Sequence, residues 1–255
     1  MNNCDVIVTY CWNRVGYNIL RSLAKHGLKV WAADTSQINI CSLSRYCAGN
    51  FVYPDPFTDE KHFISCLKEW IAKLCPTMLL PTHDESVVIM RHRDEFPKDL
   101  IIPYEDEKTL LLLANKATST ALAQKSGVPI PKVYHSEKEI NLYPVVFKSV
   151  IGNSAKSVFF PKNSEELHRL DEAYQGTDTL IEEWIGGCDY SVDCVRWNGF
   201  CKTSVYRALV TKTEGGGTTT QREIVAMPEL EQETRKMLDA IDFHGVCGMD
   251  FRVDK

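Results

Sequence analysis

Short apolar segments that alternate with amphipathic ones constrain the first third of this chain more than any other feature. The apolar segments have the length of buried strands, and the residues between them repeat their apolar side chains at helical spacing. Such alternation predicts a parallel sheet with helices on its faces, an α/β fold. The predicted strands are 5–10, 29–33 and 77–81, and the predicted helices are centred on 19–24 and 61–74.

After Pro103 the pattern changes from alternation to a run of strands. Two short helical segments come first, the second at 116–126, where a Pro-Ile-Pro break follows. A boundary between two domains is therefore expected within 105–115. The later strands are predicted at 144–148, 157–160, 179–184, 190–197, 202–210 and 246–253, with helices at 164–174 and 228–241.

The composition argues against several kinds of partner. The 29 Lys and Arg residues are balanced by 34 Asp and Glu, so the surface has no cationic excess for a nucleic-acid backbone. The ten cysteines are scattered without a CxxC pair, which favours reduced thiols over a disulfide framework. The longest aliphatic run, 110–114, is far shorter than the roughly 18 residues of a membrane-spanning helix. We therefore expect a soluble, cytoplasmic protein with no nucleic-acid or membrane partner.

The loop after the first predicted strand lies where a dinucleotide-binding fold carries its glycine fingerprint. Asp34 ends the second strand, where an acid would bind ribose. From Cys11 to Gly16, however, Gly16 is the single glycine. The other side chains would block the approach of a pyrophosphate to the backbone. This pattern argues against an NAD site, and we interpret Asp34 as a polar residue at the end of a strand.

A later loop has the composition of a phosphate-binding cradle. Lys148 ends an apolar strand, and the loop after it is small and rich in exposed backbone donors. A lysine beside such a loop supplies a point charge for phosphate oxygens. A strand that ends in lysine before a polar hairpin is also a common structural feature, so this signal alone leaves both interpretations open. The loop consists of Gly152, Asn153, Ser154, Ala155, Lys156 and Ser157.

Four motifs in a fixed order carry a stronger signal, because each is loose by itself but their succession is hard to explain by chance. They are Lys116 at the start of a helix, Lys148 with its loop, the segment 180–193 (LIEEWIGGCDYSVD), and the segment 245–251 (GVCGMDF). This succession resembles the ATP-grasp superfamily over nearly the whole chain. The resemblance implies a Rossmann-like domain at 1–108, an α+β ATP-grasp subdomain with a phosphate lid at 109–183, and an incomplete C-terminal subdomain at 184–255.

The resemblance also implies individual roles. Lys116 and Lys148 would contact the phosphates of ATP, beneath a flexible lid formed by Gly152 to Ser157. Glu182 would face the adenine amino group, and Asp189 would bind the ribose hydroxyls directly or through water. The adenine edge would meet the backbone of Glu183, Trp184 and Ile185. As structural alternatives, Glu182 and Glu183 would be ordinary strand charges, Asp189 a turn residue, and Lys116 a solvated residue of a first helical turn.

Asp250 would be the first magnesium ligand, because its hard carboxylate oxygen suits that hard cation. It alternates with Met249 and Phe251 in an otherwise apolar strand, so we expect it to be buried. A lone buried carboxylate is costly unless it meets a cation or donors. The histidines show no ligand spacing that indicates another metal site.

The segment 211–220, rich in glycine and threonine, is predicted to be a mobile loop that closes over the acceptor substrate. Arg207 before it and Arg222 after it are candidate catalytic residues, which would hold a substrate carboxylate or the transferring phosphoryl group. The alternative is that both are solvated strand arginines.

The function that the resemblance implies is a ligase dependent on ATP and Mg²⁺. It would activate a small-molecule carboxylate as an acyl phosphate, which an amine or related nucleophile then attacks. Two alternatives stay open. The chain could resemble half of a carbamoyl-phosphate-synthesising large subunit, or it could be a non-catalytic module that binds ATP or ADP.

The family's second metal cluster, a Glu-x-Asn on the next strand, would come after Lys255. We therefore expect residues 1–255 to be a fragment with at most weak nucleotide binding and no phosphate release, with Glu223 as the alternative second ligand within the chain. The last strand would leave an unpaired edge, which we expect to aggregate or to pair with another chain, as in a homodimer.

Overall fold

A computed structural model describes residues 4–152, 157–213 and 216–254. The chain forms two compact units, Met1–Leu110 and Leu111–Lys255. Across the described residues, every helix is too short or too polar to cross a bilayer. The division of the second unit at residue 183 stays a prediction.

The first unit is built on a parallel sheet, as predicted. Its elements are β1 (Val6–Val8), α1 (Arg14–Lys25), β2 (Val30–Asp34), β3 (Cys47–Val52), α2 (Glu60–Leu74), β4 (Met78–Leu80), α3 (Glu85–Arg91) and a 3₁₀ turn at Arg93–Glu95, followed by α4 (Glu107–Ala114), which spans the boundary. The strand order is β3-β2-β1-β4, and all pairings are parallel. The central strand β1 is fully buried because it has a strand on either side.

The apolar stripe predicted for α2 packs on this sheet. Phe63, Leu67 and Ile71 of the helix are buried in one cluster with Phe51 and Tyr53 from the region of β3. The sequence pattern missed β3 and α3. In β3 the residues around Gly49 are small, polar or partly exposed, so the strand lacks the apolar run that marks β1 and β2.

The second unit carries two four-stranded antiparallel sheets. Its elements are α5 (Lys116–Lys125), β5 (Val133–Tyr134), a 3₁₀ turn at Glu137–Glu139, β6 (Val145–Ser149), β7 (Val158–Phe159), α6 (Ser164–Ala173), β8 (Thr179–Glu183), β9 (Cys188–Trp197), β10 (Phe200–Thr213), β11 (Gly216–Val225), α7 (Pro228–Asp239) and β12 (Gly245–Val253). The first sheet has the order β5-β8-β6-β7 and the second the order β11-β10-β9-β12. The buried residues Leu230 and Leu238 of α7 pack on one face of the second sheet.

The prediction of a loop at 211–220 was wrong. β10 continues to Thr213 and β11 begins at Gly216, so most of the segment belongs to a β-ribbon. Threonine favours strands, and pairing with β10 outweighs the glycines that suggested a loop. The pairing of β10 with β11 shows register shifts between Ala208 and Thr213.

An asparagine cap fixes the start of α5, where Lys116 lies. The Asn115 side-chain oxygen accepts hydrogen bonds from the amides of Ala117 (3.0 Å) and Thr118 (3.1 Å). We expect Asn115→Ala to lower the free energy of unfolding by about 1 kcal/mol, because those two amides lose their acceptor. Denaturant unfolding would measure the loss. Asn115→Asp keeps the acceptor and should unfold like the parent; equal stability of all three proteins would contradict the assigned cap.

Candidate functional site

A lysine–glutamate pair lies on one face of the first sheet of the second unit. The Lys148 ammonium on β6 is 2.6 Å from Oε2 of Glu182 on β8. The register places Val146 opposite Glu182, so Lys148, two residues further along, is its diagonal neighbour on the same face. The Glu182 side chain is 5% exposed, and its Oε1 is buried without a hydrogen-bond partner among the described residues. An unsatisfied buried acceptor is costly, so this oxygen suits a ligand that brings a donor.

Lys116 lies beside this pair. Its backbone amide donates to the Val150 carbonyl (3.0 Å), and its side chain donates to the Gly152 carbonyl (2.8 Å). Burial lowers the pKa of Lys116, and the positive charge of Lys148 lowers it further. The two ammonium groups repel each other in a partly buried environment. An anion that bound between or beside them would relieve this repulsion.

The predicted lid loop starts and ends at residues that the structure describes. The Ser149 amide donates to the Ser157 carbonyl (3.1 Å) and closes the base of the loop. Gly152 has φ +141°, in the left-handed region, and a Cβ there would lie 3.1 Å from the Ser157 hydroxyl oxygen. Glycine is therefore needed at this position. The other four predicted lid residues lie outside the described residues; they are Asn153, Ser154, Ala155 and Lys156.

The segment between β8 and β9, predicted to receive adenine, is held by Arg252 of β12. The Arg252 Nε donates to the Ile185 carbonyl, and the two Nη atoms reach the Gly187 carbonyl (3.3 Å) and Oδ1 of Asp189 (2.6 Å). The guanidinium also lies 5.4 Å from the centroid of the Trp184 ring. Sequence reasoning missed Arg252. The available signal was a charged residue two positions after Asp250, which places both on one face of the strand.

Two further contacts fix this segment. Glu183 is exposed, and its amide donates to the Lys132 carbonyl (2.8 Å), which pairs the end of β8 with the chain before β5. Gly187 has φ +127°, and a Cβ there would lie 2.0 Å from the Val253 carbonyl oxygen. The backbone at Gly187 thus lies directly against the end of β12, which leaves no room for a side chain.

The expectation that Asp250 is buried was wrong. Its side chain is exposed, because Met249 and Phe251 take the core face of β12 and Asp250 takes the other face. Desolvation raises the pKa of Asp250, as do the negative charges of Asp189 and Asp193, while Arg222 lowers it. A carboxylate with two other carboxylates close by suits a cation.

Asp189, Asp193 and Asp250 form an acidic cluster on this face of the sheet, and Asp193 was not among the predicted site residues. Among the described residues, no group of three or more His, Cys, Asp or Glu is arranged to hold a metal. Asp250 remains our proposed Mg²⁺ ligand, and one protein carboxylate is a common arrangement for Mg²⁺ because that ion keeps several waters.

The two candidate catalytic arginines lie on opposite faces of the second sheet. Arg207 pairs across the strands with Glu223, and Arg222 pairs with Ala208, so the two side chains point in opposite directions. Arg207 forms an ion pair with Glu223, the alternative metal ligand, on the face away from Asp250. Arg207 and Glu223 therefore lie away from the acidic cluster.

Arg222, by contrast, is on the face of the acidic cluster. Its guanidinium carbon lies 4.0 Å from the centroid of the Tyr206 ring, and Nη2 is 4.0 Å from Oδ2 of Asp193. Of the two arginines, Arg222 alone shares a face with Asp250. The negative charge of the cluster is thus partly balanced by two guanidinium groups, Arg222 beside Asp193 and Arg252 beside Asp189.

Comparisons with known proteins agree with the fold. A model of the ATP-grasp domain matches residues 113–255, more than half of the chain. Three similar solved structures have low sequence identity. An L-amino acid ligase from Bacillus licheniformis is 16% identical with a TM-score of 0.73, over 100% of this chain and 64% of that one. A biotin carboxylase–β-γ-ATP complex from Campylobacter jejuni is 16% identical with a TM-score of 0.77, over 99% and 63%.

The third is the biotin carboxylase domain dimer of a 2-oxoglutarate carboxylase from Hydrogenobacter thermophilus, in complex with MgADP, ADP and bicarbonate. It is 15% identical with a TM-score of 0.74, over 99% of this chain and 61% of that one. This chain therefore spans less than two thirds of the length of each of the three. A search of the curated proteins finds no match. The predicted fold is confirmed: the chain belongs to the ATP-grasp family.

Proposed function

We propose that this chain is the nucleotide-binding part of a ligase that uses ATP and Mg²⁺ to activate a carboxylate for attack by an amine or related nucleophile. The observation that carries the proposal is the arrangement of Lys116, Lys148 and Glu182. Two ammonium groups lie beside a buried carboxylate that keeps one oxygen unsatisfied. ATP can satisfy both features. Its phosphates are anions for the two ammonium groups, and its adenine amino group is a donor for the unsatisfied oxygen of Glu182.

Each end of the nucleotide would have its own partners. Lys116 and Lys148 would bind the phosphates, and Oε1 of Glu182 would accept from the adenine amino group. Asp189 would bind the ribose hydroxyls, in exchange for part of its contact with Arg252. Asp250 would hold Mg²⁺, and Asp193 would add negative charge nearby. When bound, Mg²⁺ would neutralise charge on the phosphates and orient them.

The chemistry that these residues can perform is positioning and neutralisation of charge. The substrate carboxylate would attack the terminal phosphorus, displace ADP and form an acyl phosphate. The amine would then attack the acyl carbon, displace phosphate and lose a proton to form the amide. The two lysines would stabilise negative charge on the transferred phosphoryl group. Arg222, which faces the acidic cluster, is the better placed of the two arginines to bind the acceptor carboxylate. No side chain needs to act as a covalent nucleophile.

The assembly and the location of the protein are also proposals. All ten cysteines are free thiols, which supports a reducing compartment such as the cytoplasm. β12 lies at one edge of its sheet, and one similar domain is a dimer, so a homodimer is a reasonable assembly. Bicarbonate in that complex keeps open a carbamoyl-phosphate-synthase-like reaction on a small carboxylate.

We expect ATP to bind at least about fivefold more tightly than GTP, because the buried Oε1 of Glu182 would meet the amino group of adenine but the carbonyl oxygen of guanine. One unsatisfied buried acceptor costs about 1–3 kcal/mol, which corresponds to roughly 5–150-fold in affinity. Glu182→Gln should reduce this preference, because its amide can donate to the guanine oxygen. Titration calorimetry with each nucleotide on the intact protein measures the ratio.

Glu183→Gln is the matched control, since Glu183 is the next residue and is exposed. It should keep the preference of the parent. Equal binding of ATP and GTP by the parent would contradict the assignment of Glu182 to the base. A second measurement is the release of inorganic phosphate in the presence of candidate carboxylates and amines. It separates a ligase from a module that binds ATP or ADP without transfer.

A further inference from the structure

Three cysteines meet on the face of the second sheet that is opposite Asp250. Cys194 is on β9, Cys201 on β10 and Cys247 on β12, and all three pack in one cluster with Leu238 and Phe243. The Sγ atoms of Cys194 and Cys201 are 3.9 Å apart. Cys247 is directly opposite Cys194 across the strands, and Cys201 is the diagonal neighbour of Cys194.

Charges around the cluster favour one thiolate. Hydrogen bonds from Cys247 and Cys201, with the charges of Arg235 and Arg196, lower the pKa of Cys194 to about 7 although burial opposes the shift. The pKa of Cys201 is raised, first by burial and then by Cys194. Two carboxylates also face this region: Asp239 and Asp242 both lie within ion-pair distance of Arg196 and reduce its effect. Of these two thiols, Cys194 is therefore the more easily ionised.

A cavity of about 350 Å³ gives access to Cys201, which is partly exposed in its wall, while Cys194 is buried behind it. The walls carry charges of both signs. Arg196 is held by its ion pair with Asp239, whereas Arg235 can bind a carboxylate and the exposed carboxylate of Asp242 can bind an ammonium group. A zwitterionic molecule of peptide character therefore suits the cavity. Besides Cys201, it is lined by Arg196, Gly199, Phe200, Arg235, Asp239, Asp242 and His244.

We propose that Cys201 and Cys194 form a thiol–disulfide exchange site for a zwitterionic low-molecular-weight disulfide that enters this cavity. The Cys201 thiol loses its proton to water and attacks one sulfur of the small disulfide. The S–S bond breaks, the leaving thiolate takes a proton from water and departs as one small thiol, and a mixed disulfide remains on Cys201. Cys194, which also gives its proton to water, then attacks Sγ of Cys201 as a thiolate and displaces the second small thiolate, which takes up a proton from water. Two protein thiols are oxidised, and one disulfide is reduced to two thiols.

The geometry assigns a separate task to each cysteine. Cys201 is the entry thiol because it lines the cavity, and Cys194 is the resolving thiol because its sulfur is already close and is stabilised as a thiolate. The intramolecular bond requires the two sulfurs to move from 3.9 Å to bonding distance, about 2.05 Å. Cys247 acts as a donor to Cys194 and is not itself oxidised.

Peptide mapping tests the proposal directly. The protein is incubated with glutathione disulfide, its remaining thiols are alkylated, and a tryptic digest is analysed by mass spectrometry. Cys201 is the single cysteine of peptide 197–202, while Cys194 lies in 170–196 and Cys247 in 237–252. We expect a disulfide between 170–196 and 197–202 that dithiothreitol removes. Cys188→Ser should keep this bond, which excludes the other cysteine of 170–196.

Two variants separate the tasks. Cys194→Ser should stop at a stable glutathione adduct on 197–202, and Cys201→Ser should form neither the adduct nor the bond. Exposed Cys75, in the first unit, is the internal control and should form an adduct without an intramolecular bond. A bond to 237–252, or adducts alone in the parent protein, would overturn the proposal. The parent and Cys188→Ser decide the question even if the cluster variants fold poorly.

Discussion

The Lys148→Ala variant is expected to lose nucleotide affinity and folding stability together. ATP binding should weaken by about 2 kcal/mol, because a charge-assisted bond to phosphate is lost. The structure adds a second effect, since Lys148 also neutralises the buried carboxylate of Glu182. Removing one partner of a buried pair leaves an uncompensated charge, so we expect the free energy of unfolding to fall by about 3 kcal/mol. Titration calorimetry and denaturant unfolding measure the two losses.

A double variant separates these effects. Lys148→Ala combined with Glu182→Gln removes the stranded charge and should recover most of the stability, while phosphate affinity stays low. Lys132→Ala is the matched control, because Lys132 directly precedes β5 of the same sheet, is exposed, and contacts Tyr134 rather than the pair. Should Lys148→Ala bind ATP like the parent, Lys148 would be a structural partner of Glu182 alone.

Gly187→Ala is expected to be strongly destabilising. A Cβ would lie 2.0 Å from the Val253 carbonyl oxygen and 2.8 Å from its carbon, and φ is +127°. The chain must separate from β12 to avoid this overlap, which would also break the contact of Gly187 with Arg252. We expect a loss of about 4 kcal/mol in unfolding free energy, together with loss of ATP binding.

Gly199→Ala provides the comparison. Gly199 also has a positive φ, +80°, but a Cβ there would meet nothing within 4 Å. Its cost should be limited to backbone strain, about 1 kcal/mol. Similar losses in the two variants would show that strain at positive φ, and not the contact with β12, is what requires glycine at Gly187.

Much of the fold could be predicted because the strands that build its core are apolar and the helices are amphipathic. The order of the motifs indicated the ATP-grasp family. In the structure, Lys116, Lys148 and Glu182 lie close together. The missed strands β3 and β11 are rich in small or polar residues, so tertiary pairing rather than local composition makes them strands. Helix α3 is short and follows a polar turn, which gave its apolar residues too little length to show a period.

The partners of the site residues could not be predicted, because they depend on the register between strands that are distant in sequence. Alternation along one strand shows which residues share a face, but it does not show that Glu182 pairs with Lys148 or that Arg252 reaches Asp189. The same limit applies to Arg207 and Arg222. Each was an isolated arginine beside a glycine-rich segment, and the pairing of β10 with β11 alone shows that they point in opposite directions.

The register shifts in the ribbon of β10 and β11 bear on how this family can diverge. They begin after the pairing of Ala208 with Arg222 and recur towards the tip, where Thr211 pairs with Thr219. A bulge absorbs an inserted residue locally by bending the strand, and the regular ladder before it keeps its alignment. Homologous sequences should therefore accumulate insertions and deletions beyond Val210. The length of the tip can then change during evolution while Arg222 keeps its place beside Asp193.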